Sequence, residues 1–311
     1  MLILVTGGCG FIGSHLVDLL INKGHSVRIL DNLSTGNLAN IQHHENTPAC
    51  EFIEGDIRDK ELLRKIMKDV EVIYHYSAQS SVHRSVKDPL LDMDINIRGS
   101  LNIAQIAVEK SVDRIIYAST GGAIYGRSQQ FPTDEATTTE PESPYGISKF
   151  SSEKYFLLFH QIYGIGISCM RYANIYGPRQ DPRGEAGVIS IFLSQILKNE
   201  PLTIYGDGSH TRDYLYVQDA VKAAYAALSS RANGVFNIGT GKETSVNEIA
   251  SAVLKITQTN NKIIHLPERP GEVERSCLDS TLAKKTFDWE FDTSFEEGIA
   301  KTWQWVKKSE I

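Results

Sequence analysis

Residues 2–13 read LILVTGGCGFIG, and this stretch decides the fold. Residues 2–5 form a short apolar run typical of a buried strand, and the apolar spacing of residues 11–23 predicts a helix. Between the two, Gly7, Gly10 and Gly13 supply a turn without Cβ atoms, so the backbone can approach a pyrophosphate at the helix N-terminus. A strand, a glycine turn and a helix in this order therefore predict a dinucleotide-binding site.

The rest of the first half alternates strand-like and helix-like segments. Strands are predicted at residues 2–5, 26–30, 51–54, 72–76, 114–118 and 165–170. Helices are predicted at residues 11–23, 60–67, 91–110 and 147–163. This alternation predicts an α/β protein with a Rossmann-type, doubly wound parallel sheet. After about residue 175 the alternation stops, so we expect a first domain at 1–175 and a smaller C-terminal α/β lobe at 176–311, with some chain returning to the first domain.

The composition excludes several classes of protein. The 311 residues carry a formal net charge of −6, which is not the basic footprint of a nucleic-acid-binding protein. No apolar run reaches membrane-spanning length, and the N-terminus lacks the pattern of a signal peptide. The four cysteines form no C-x-x-C pair, so we expect no metal site. We expect a soluble, cytoplasmic protein that binds neither nucleic acid nor membrane.

Two acidic positions refine the expected cofactor. Asp31 ends the second predicted strand, where a carboxylate accepts both hydroxyls of an adenine ribose and repels a 2′-phosphate, so NAD is favoured over NADP. The alternative for Asp31 is a loop N-cap. Asp56 and Ile57 follow the third strand and are predicted to touch the adenine, and a solvated turn is the alternative for Asp56.

A tyrosine and a lysine form the candidate catalytic pair. Tyr145 and Lys149 lie at positions i and i+4 in PYGISK (144–149), on one face of a predicted helix. A nearby ammonium group favours the phenolate form of a tyrosine, which can then take a proton from a sugar hydroxyl. Together with the glycine turn, the pair predicts an NAD-dependent oxidoreductase framework.

At this point the chain resembles the extended short-chain dehydrogenases that act on nucleotide sugars, and most closely the UDP-glucose 4-epimerases. The resemblance covers nearly the whole chain and rests on TGGCGFIG at 6–13, SAQSSVHRSVKDP at 77–89, STGGAIYG at 119–126, PYGISK at 144–149, RYANIYGPRQ at 171–180, YGDGSHTRDYLYVQD at 205–219, FNIGTG at 236–241 and RPGE at 269–272.

The resemblance implies a hydroxyl partner for Tyr145 after the fifth strand, and here the chain departs from the usual pattern. The position often filled by a catalytic serine is Gly121, so we assign the role to Thr120, with Ser119 as the alternative. Related dehydratases and decarboxylases carry an acid in this loop, whereas this chain has Gly121 to Ala123. An acid-free loop suits redox-neutral epimerisation, in which hydride leaves C4 of the sugar and returns to the opposite face while NAD is retained.

The resemblance implies further binding residues. Those expected to bind NAD are Gly7, Gly10, Phe11, Ile12, Gly13, Asp31, Asn32, Asp56, Ile57, Ser77, Ala78, Gln79, Asn96, Ser119, Tyr145, Lys149 and Tyr172. Those expected to bind the UDP-sugar are Ser81, Val82, Thr120, Tyr145, Asn174, Val188, Tyr205, Arg212, Arg269, Glu272 and Ser276. The planar guanidinium groups of Arg212 and Arg269 are suited to binding the oxygens of the diphosphate. Some family members carry a tyrosine where this chain has Ser276, so we expect room for a 2-N-acetyl group and acceptance of UDP-GlcNAc and UDP-GalNAc as well as UDP-glucose and UDP-galactose.

Other interpretations compete with the epimerase. One is another nucleotide-sugar epimerase or reductase, acting on a uronic acid or a dTDP-sugar, and another is a non-catalytic NAD-sensing protein. The resemblance also implies a homodimer formed through two helices. Apolar side chains on the two helices allow either that interface or packing on the sheet: Leu91, Ile95, Leu101, Ile103, Phe156, Leu157 and Phe159.

Overall fold

The computed structural model describes residues 1–183, 187–268 and 273–309. Its strands are β1 (Leu2–Thr6), β2 (Ser26–Asp31), β3 (Cys50–Glu54), β4 (Val72–His75), β5 (Arg114–Thr120), β6 (Gly166–Tyr172), β7 (Asn174–Tyr176), β8 (Leu202–Tyr205), β9 (Thr211–Arg212), β10 (Tyr214–Tyr216), β11 (Gly234–Ile238), β12 (Thr244–Ser245), β13 (Ile263–Leu266) and β14 (Arg275–Ser276). Its helices are α1 (Phe11–Asn22), α2 (Lys60–Ile66), α3 (Val82–Lys87), α4 (Pro89–Met93), α5 (Gly99–Glu109), α6 (Gly121–Ile124), α7 (Pro144–Tyr163), α8 (Val188–Leu197), α9 (Val217–Ser230), α10 (Val246–Thr257), α11 (Thr281–Phe287) and α12 (Phe295–Ser309).

A parallel sheet forms the centre of the molecule. In the described part of the chain it has seven strands, in the order β3-β2-β1-β4-β5-β6-β11. Helices cover both faces, and strands buried on both faces need apolar residues at consecutive positions. In β1, Ile3 and Val5 pack into one core while Leu4 packs into the other, and all three are fully buried. This architecture confirms the predicted α/β class.

The strand order reverses beside β1. Its neighbours are β2, which follows it in the chain, and β4, which returns from the other side. Ligands of doubly wound sheets bind at such a switch point, outside the carboxyl ends of the strands. The glycine turn after β1 and the loop after β4 meet there, and the loops after β2 and β5 flank them.

The region predicted as one helix at 91–110 is helical from Pro89 to Glu109, with a change of helix type inside it. Asp88 accepts a hydrogen bond from the Leu91 amide at 3.0 Å and Pro89 occupies the first turn, so α4 begins there as a separate helix. A π-helical stretch, Asp94–Arg98, then joins α4 to α5. π-Helical turns widen a helix locally and often occur at functional positions. Asn96 lies at the centre of this stretch.

The second half of the chain returns to the sheet. β11 pairs with β6 as the outermost strand, and α9 packs against α1. The remaining strands form small sheets at the edge of the molecule: β10 with β7, β13 with β8, and β9 between β12 and β14. These short strands carry the residues that sequence analysis assigns to the substrate.

Among the described residues, none of the helices combines the length and the apolar character needed to cross a bilayer.

Candidate active site

The glycine turn packs directly against the loop after β4. Gly7 has a φ angle of +73°, and a Cβ atom there would lie 2.7 Å from the Ser77 amide nitrogen. A Cβ atom at Gly13 would collide with the Gly7 carbonyl oxygen. The turn can close in this way only because both positions lack side chains. Because these positions carry no side chains, a ligand lying across the turn could approach its backbone closely.

The first turn of α1 adjoins the place where the glycine turn and the loop after β4 meet, at the carboxyl ends of β1 and β4, which we call the crevice. Its N-cap, Gly10, has no side chain to cap the helix, and the turn, which lies wholly within the described residues, contains no carboxylate. The N-terminal amides of the helix therefore point toward the crevice with the positive end of the helix dipole. Phe11 and Ile12 begin this helix. Such an end attracts the negative charge of a pyrophosphate.

Asp31 lies between the glycine turn and the loop that follows β2. One carboxylate oxygen accepts a hydrogen bond from the Cys9 amide and the other from the Leu33 amide, both at 2.9 Å. Burial raises the pKa of Asp31, and these two hydrogen bonds oppose that effect. Each oxygen retains a lone pair for a further donor such as a ribose hydroxyl. The carboxylate is thus held in place beside the turn before any ligand binds.

The neighbouring polar residues form an ion-paired group. Asn32 donates to Asp56 at 3.0 Å, and the Arg58 guanidinium lies 2.7 Å from the same carboxylate. Hydrogen bonding from Arg58 lowers the pKa of Asp56 to about 2. Ile57 points instead into the core, where a Cβ atom at Gly99 would collide with it. The side chains of Asp56 and Ile57 are therefore engaged within the protein, at the end of β3.

A buried amide pair holds the loop after β4. The Asn96 side chain accepts from the Gln79 amide and donates to the Gln79 carbonyl, both at 2.9 Å, and it also donates to Ser148 of α7 at 3.1 Å. Gln79 in turn accepts from the Ser81 amide at 2.7 Å. Sequence analysis assigned Gln79 and Asn96 to the cofactor and missed Ser148. Their side chains connect the loop containing Ser77 and Ala78 to the catalytic helix.

The catalytic helix α7 begins three residues earlier than predicted, at Pro144. Ser143 caps it by accepting from the Gly146 amide at 3.1 Å, and proline suits the first helical position. Tyr145 is therefore in the first turn, and its own amide donates to Ser85 at 3.1 Å. The capping residues place Tyr145 at the mouth of the crevice.

Lys149 lies one turn deeper and is buried. Its ammonium lies 4.2 Å from the centre of the Tyr117 ring. Burial lowers the pKa of Lys149 to about 7, although the negative charges of Glu153 and Asp92 act in the opposite direction. The neighbouring His75 is a buried core residue with hydrogen bonds to Thr6 and Ser100. Lys149 is thus the titratable cation beside Tyr145 on this face of α7.

The two candidate hydroxyls differ in their surroundings. Ser119 is buried and donates to the Glu153 carboxylate at 2.5 Å. Glu153 also forms a buried ion pair with Arg171 at 2.7 Å. Thr120 is the last residue of β5 and the N-cap of α6, yet its side chain makes no capping hydrogen bond to that helix. Ser119 is therefore part of a structural network, whereas the Thr120 hydroxyl is not used to cap α6.

Packing is consistent with a glycine at position 121, where related proteins often have a serine. A Cβ atom at this position would collide with the side chain of Leu278, which is buried. A serine in this place would require Leu278 to move. Leu278, in the segment that follows β14, thus occupies the space that a side chain at position 121 would take.

Several predicted substrate residues converge around Gly122. A Cβ atom at Gly122 would lie 3.8 Å from both the Asn174 side-chain oxygen and the Ser276 hydroxyl. Ser276 pairs in register with Arg212 in the small sheet of β14 and β9. The Arg212 guanidinium donates to the Thr211 carbonyl at 2.8 Å. Three segments distant in sequence, those of Asn174, Arg212 and Ser276, thus meet beside the acid-free loop.

Asp213 holds these segments together, and sequence analysis missed it. Its buried carboxylate accepts hydrogen bonds from the Thr240 side chain at 2.6 Å and from the Gly241 and Leu278 amides at 3.1 and 3.3 Å. Burial raises its pKa, and these bonds oppose the change. The signal available in the sequence was an acidic residue directly after Arg212 within the YGDGSHTRDYLYVQD motif.

The remaining predicted residues lie around the same crevice or beside it. Tyr172 is buried, with its hydroxyl 2.5 Å from that of Tyr76. Val188 begins α8 and Ser81 caps α3, which begins at Val82. Tyr205 is 40% exposed at the end of β8, so it is not a core residue. Arg269 and Glu272 lie outside the described residues.

Comparison with known proteins places this site in context. The sequence model of the family described as GDP-mannose 4,6 dehydratase matches residues 4–302. The crystal structure of a UDP-glucose 4-epimerase with UDP-glucose, from Thermotoga maritima, is 44% identical, covers 100% of both chains and superposes with a TM-score of 0.96.

Two further solved structures cover almost all of the chain. A UDP-N-acetylglucosamine 4-epimerase from Methanobrevibacter ruminantium, in complex with UDP-N-acetylmuramic acid, is 35% identical, with a TM-score of 0.95 over 99% of this chain and 98% of its own. A Thermus thermophilus UDP-glucose 4-epimerase in complex with NAD is 39% identical, with a TM-score of 0.92 over 99% of each chain.

The pKa of Lys149 predicts a pH-dependent stability. Between about 7, its value in the folded protein, and the ordinary value of 10.5, the unfolded chain binds this proton and the folded chain does not. The free energy of unfolding should therefore rise with pH in this window, by at most about 1.4 kcal/mol per pH unit from this group. Urea unfolding without cofactor should show the wild type gaining stability relative to Lys149→Met between pH 7 and 9. Lys154→Met, at an exposed site on the same helix, controls for surface charge. Parallel curves for the wild type and Lys149→Met would contradict the assignment.

Proposed function

Because the chain belongs to the extended short-chain dehydrogenase family of NAD-dependent nucleotide-sugar epimerases and dehydratases, we propose that it is a UDP-sugar 4-epimerase. The observation that carries this proposal is the pairing of Tyr145 and Lys149 on α7 with a loop, Gly121 to Ala123, that contains no acid. Deprotonation and reprotonation of a sugar hydroxyl need the tyrosine, whereas elimination or decarboxylation needs an additional acid or base.

The crevice suits NAD. The glycine turn leaves room for a backbone approach to the pyrophosphate, and the N-terminus of α1 would bind its charge. Asp31 would accept the ribose hydroxyls, and its negative charge disfavours the 2′-phosphate of NADP. When bound, NAD supplies a reversible hydride acceptor. We place most of the residues that hold it in 1–175, and most of those that hold the sugar nucleotide in 176–311.

Tyr145 would exchange the proton of the sugar 4-hydroxyl. Lys149 has two effects in this arrangement. As a cation it stabilises the phenolate of Tyr145, and its burial prevents water from screening that charge. Thr120 would donate a hydrogen bond to the reacting oxygen, because the Ser119 hydroxyl already bonds to Glu153.

The segments around Gly122 would bind the sugar nucleotide. Arg212 and Arg269 would provide guanidinium groups for the diphosphate, and Asn174, whose side-chain oxygen lies near Gly122, would add a hydrogen-bonding partner. Tyr205, exposed at the end of β8, would stack on the uracil. Ser276 is small and lies next to Gly122, so the pocket has room for a 2-N-acetyl group. We therefore propose that N-acetylated UDP-sugars are accepted as well.

Product analysis tests the reaction and its substrates. The purified protein, without added NAD, should convert UDP-glucose and UDP-GlcNAc each into a mixture with its C4 epimer, as followed by NMR. Ser276→Tyr should lose the N-acetylated pair and keep UDP-glucose, because the larger side chain fills the pocket. Formation of a 4-keto-6-deoxy sugar or of carbon dioxide would overturn the epimerase, and a wild type that binds NAD but is inert would favour an NAD sensor. If the protein converts UDP-glucose but not UDP-GlcNAc, only the proposed acceptance of N-acetylated sugars is wrong, and the epimerase proposal stands.

Mutations should distinguish the roles of the Thr120 and Ser119 hydroxyls. Thr120→Val removes the hydrogen bond to the reacting oxygen and should lower kcat by roughly a hundredfold. Ser119→Ala should leave kcat within a few-fold and lower the free energy of unfolding by about 1–3 kcal/mol, because the buried Glu153 loses a donor. Thr120→Ser, which restores a hydroxyl, is the matched control. The reverse pattern would assign the catalytic role to Ser119.

We also propose a homodimer, through residues other than those expected from the sequence. Ile103 and Phe156 are buried, and Ile95, Leu157 and Phe159 pack against the same core. Neighbouring positions on α4 and α7 instead expose large apolar side chains, namely Leu90, Met93, Ile147, Tyr155, Leu158 and Ile162. Exposed apolar surface on two adjacent helices is typical of an interface.

Light scattering tests the dimer. Leu158→Glu combined with Ile162→Glu places charges on the exposed face of α7 and should give a monomer. Ile263→Glu, on an exposed apolar position of β13, is the matched control and should leave the dimer intact. A wild type that is monomeric at micromolar concentration would exclude this interface.

A further inference from the structure

Three metal-ligating side chains converge outside the crevice. Asp18 lies on α1, and His43 and His44 lie on the 3₁₀ turn Gln42–His44. The Nε2 atoms of both histidines are 2.8 Å from Oδ1 of Asp18. One ligand atom from each of the three residues lies within 4.8 Å of the others. The sequence analysis expected no metal site because the cysteines form no C-x-x-C pair, and it did not consider these three residues together.

The donor set matches a transition-metal ion. Two imidazole nitrogens and one carboxylate oxygen are ligands that Zn²⁺ and similar divalent ions take, with a solvent molecule in the remaining position. In a tetrahedral zinc site, ligand atoms lie on the order of 3.3 Å apart, so the side chains would separate by a few tenths of an ångström on binding. The His43 side chain is 48% exposed, which leaves a path for the ion from solvent.

The surrounding contacts hold the ligands in place. Arg179 binds the other oxygen of Asp18 at 2.8 Å and thereby leaves Oδ1 directed at the histidines. The His44 amide donates to the Ile41 carbonyl at 2.9 Å, and Ile41 is buried in the core. Outer contacts of this kind orient metal ligands. The positive charge of Arg179 also predicts a weaker site than a closed, four-ligand zinc centre.

The cluster also adjoins the glycine turn. Asn37 and Asn40 precede the 3₁₀ turn, and both donate to the Cys9 carbonyl, the first through its amide at 3.0 Å and the second through its side chain at 2.9 Å. An ion bound by Asp18, His43 and His44 would cross-link this segment to α1. It would therefore stabilise the backbone that frames the crevice on the side of Asp31.

We propose that Asp18, His43 and His44 form a binding site for one divalent transition-metal ion of the zinc type. Each histidine binds the ion through Nε2 and carries its proton on Nδ1. The ion stabilises the folded chain, because the ligands are brought together only in the folded state.

Cobalt titration tests the site. The untagged full chain, treated with a chelator and dialysed, should bind one Co²⁺ per chain with visible d–d absorption, should release it to Zn²⁺, and should show a higher Tm with either ion. His43→Ala with His44→Ala should weaken binding by more than roughly tenfold and abolish the Tm shift. His25→Ala, at a histidine bonded to Tyr225 elsewhere, is the matched control and should bind normally.

The outcome is decisive even if the double variant folds poorly. The single variant His43→Gln changes an exposed side chain, and far-UV circular dichroism checks its fold. If the wild type binds Co²⁺ no better than this variant and its Tm does not respond to metal, the cluster is a set of Asp–His hydrogen bonds only and the proposal is overturned.

Discussion

The buried ion pair between Glu153 and Arg171 is the interaction on which the arrangement of the site depends. The side chains of the two residues are 1% and 4% exposed, and the pair joins α7 to β6. Ser119 donates to the same carboxylate, and Arg171 donates to the Tyr125 hydroxyl at 2.8 Å. Loss of one partner from a buried pair costs about 3–5 kcal/mol, so the rotation of α7 about its own axis is strongly constrained. Lys149 lies one turn from Glu153 on the same face and is also buried, with its ammonium 4.2 Å from the centre of the Tyr117 ring.

Close backbone contacts bring the two halves of the site together. Gly7 meets the backbone of Ser77 on the cofactor side, and Gly239 approaches the carboxylate of Asp213 on the substrate side. Asp213 then ties the segment after β14 to the loop after β11. Gly121 and Leu278 make a third contact, in which Leu278 occupies the space that a side chain at position 121 would take. Small residues at these contacts let segments from distant parts of the sequence approach within hydrogen-bonding distance.

Features that depend on neighbouring residues could be read from the sequence. The glycine turn, Asp31 after the second strand, and the spacing of Tyr145 and Lys149 all follow from strand and helix periodicity. The predicted helix at 91–110 agrees closely with the helical run from Pro89 to Glu109, whereas the π-helical stretch around Asn96 inside it was not predicted. Sequence analysis also could not choose between Ser119 and Thr120, since the partner of Ser119 is Glu153, on another element.

The sequence alone determined the doubly wound sheet, the glycine turn and the placing of Tyr145 and Lys149 one turn apart on a helix, because each arises from local conformation and from the alternation of apolar residues along one element. Only the tertiary structure decided that Ser119 bonds to Glu153, that Leu278 packs against Gly121, how Asp213 joins the segments after β11 and β14, and that Asp18 meets His43 and His44. These relationships join residues separated by tens to hundreds of positions. They exist only when the packed core holds those residues together, and no local pattern encodes such distances.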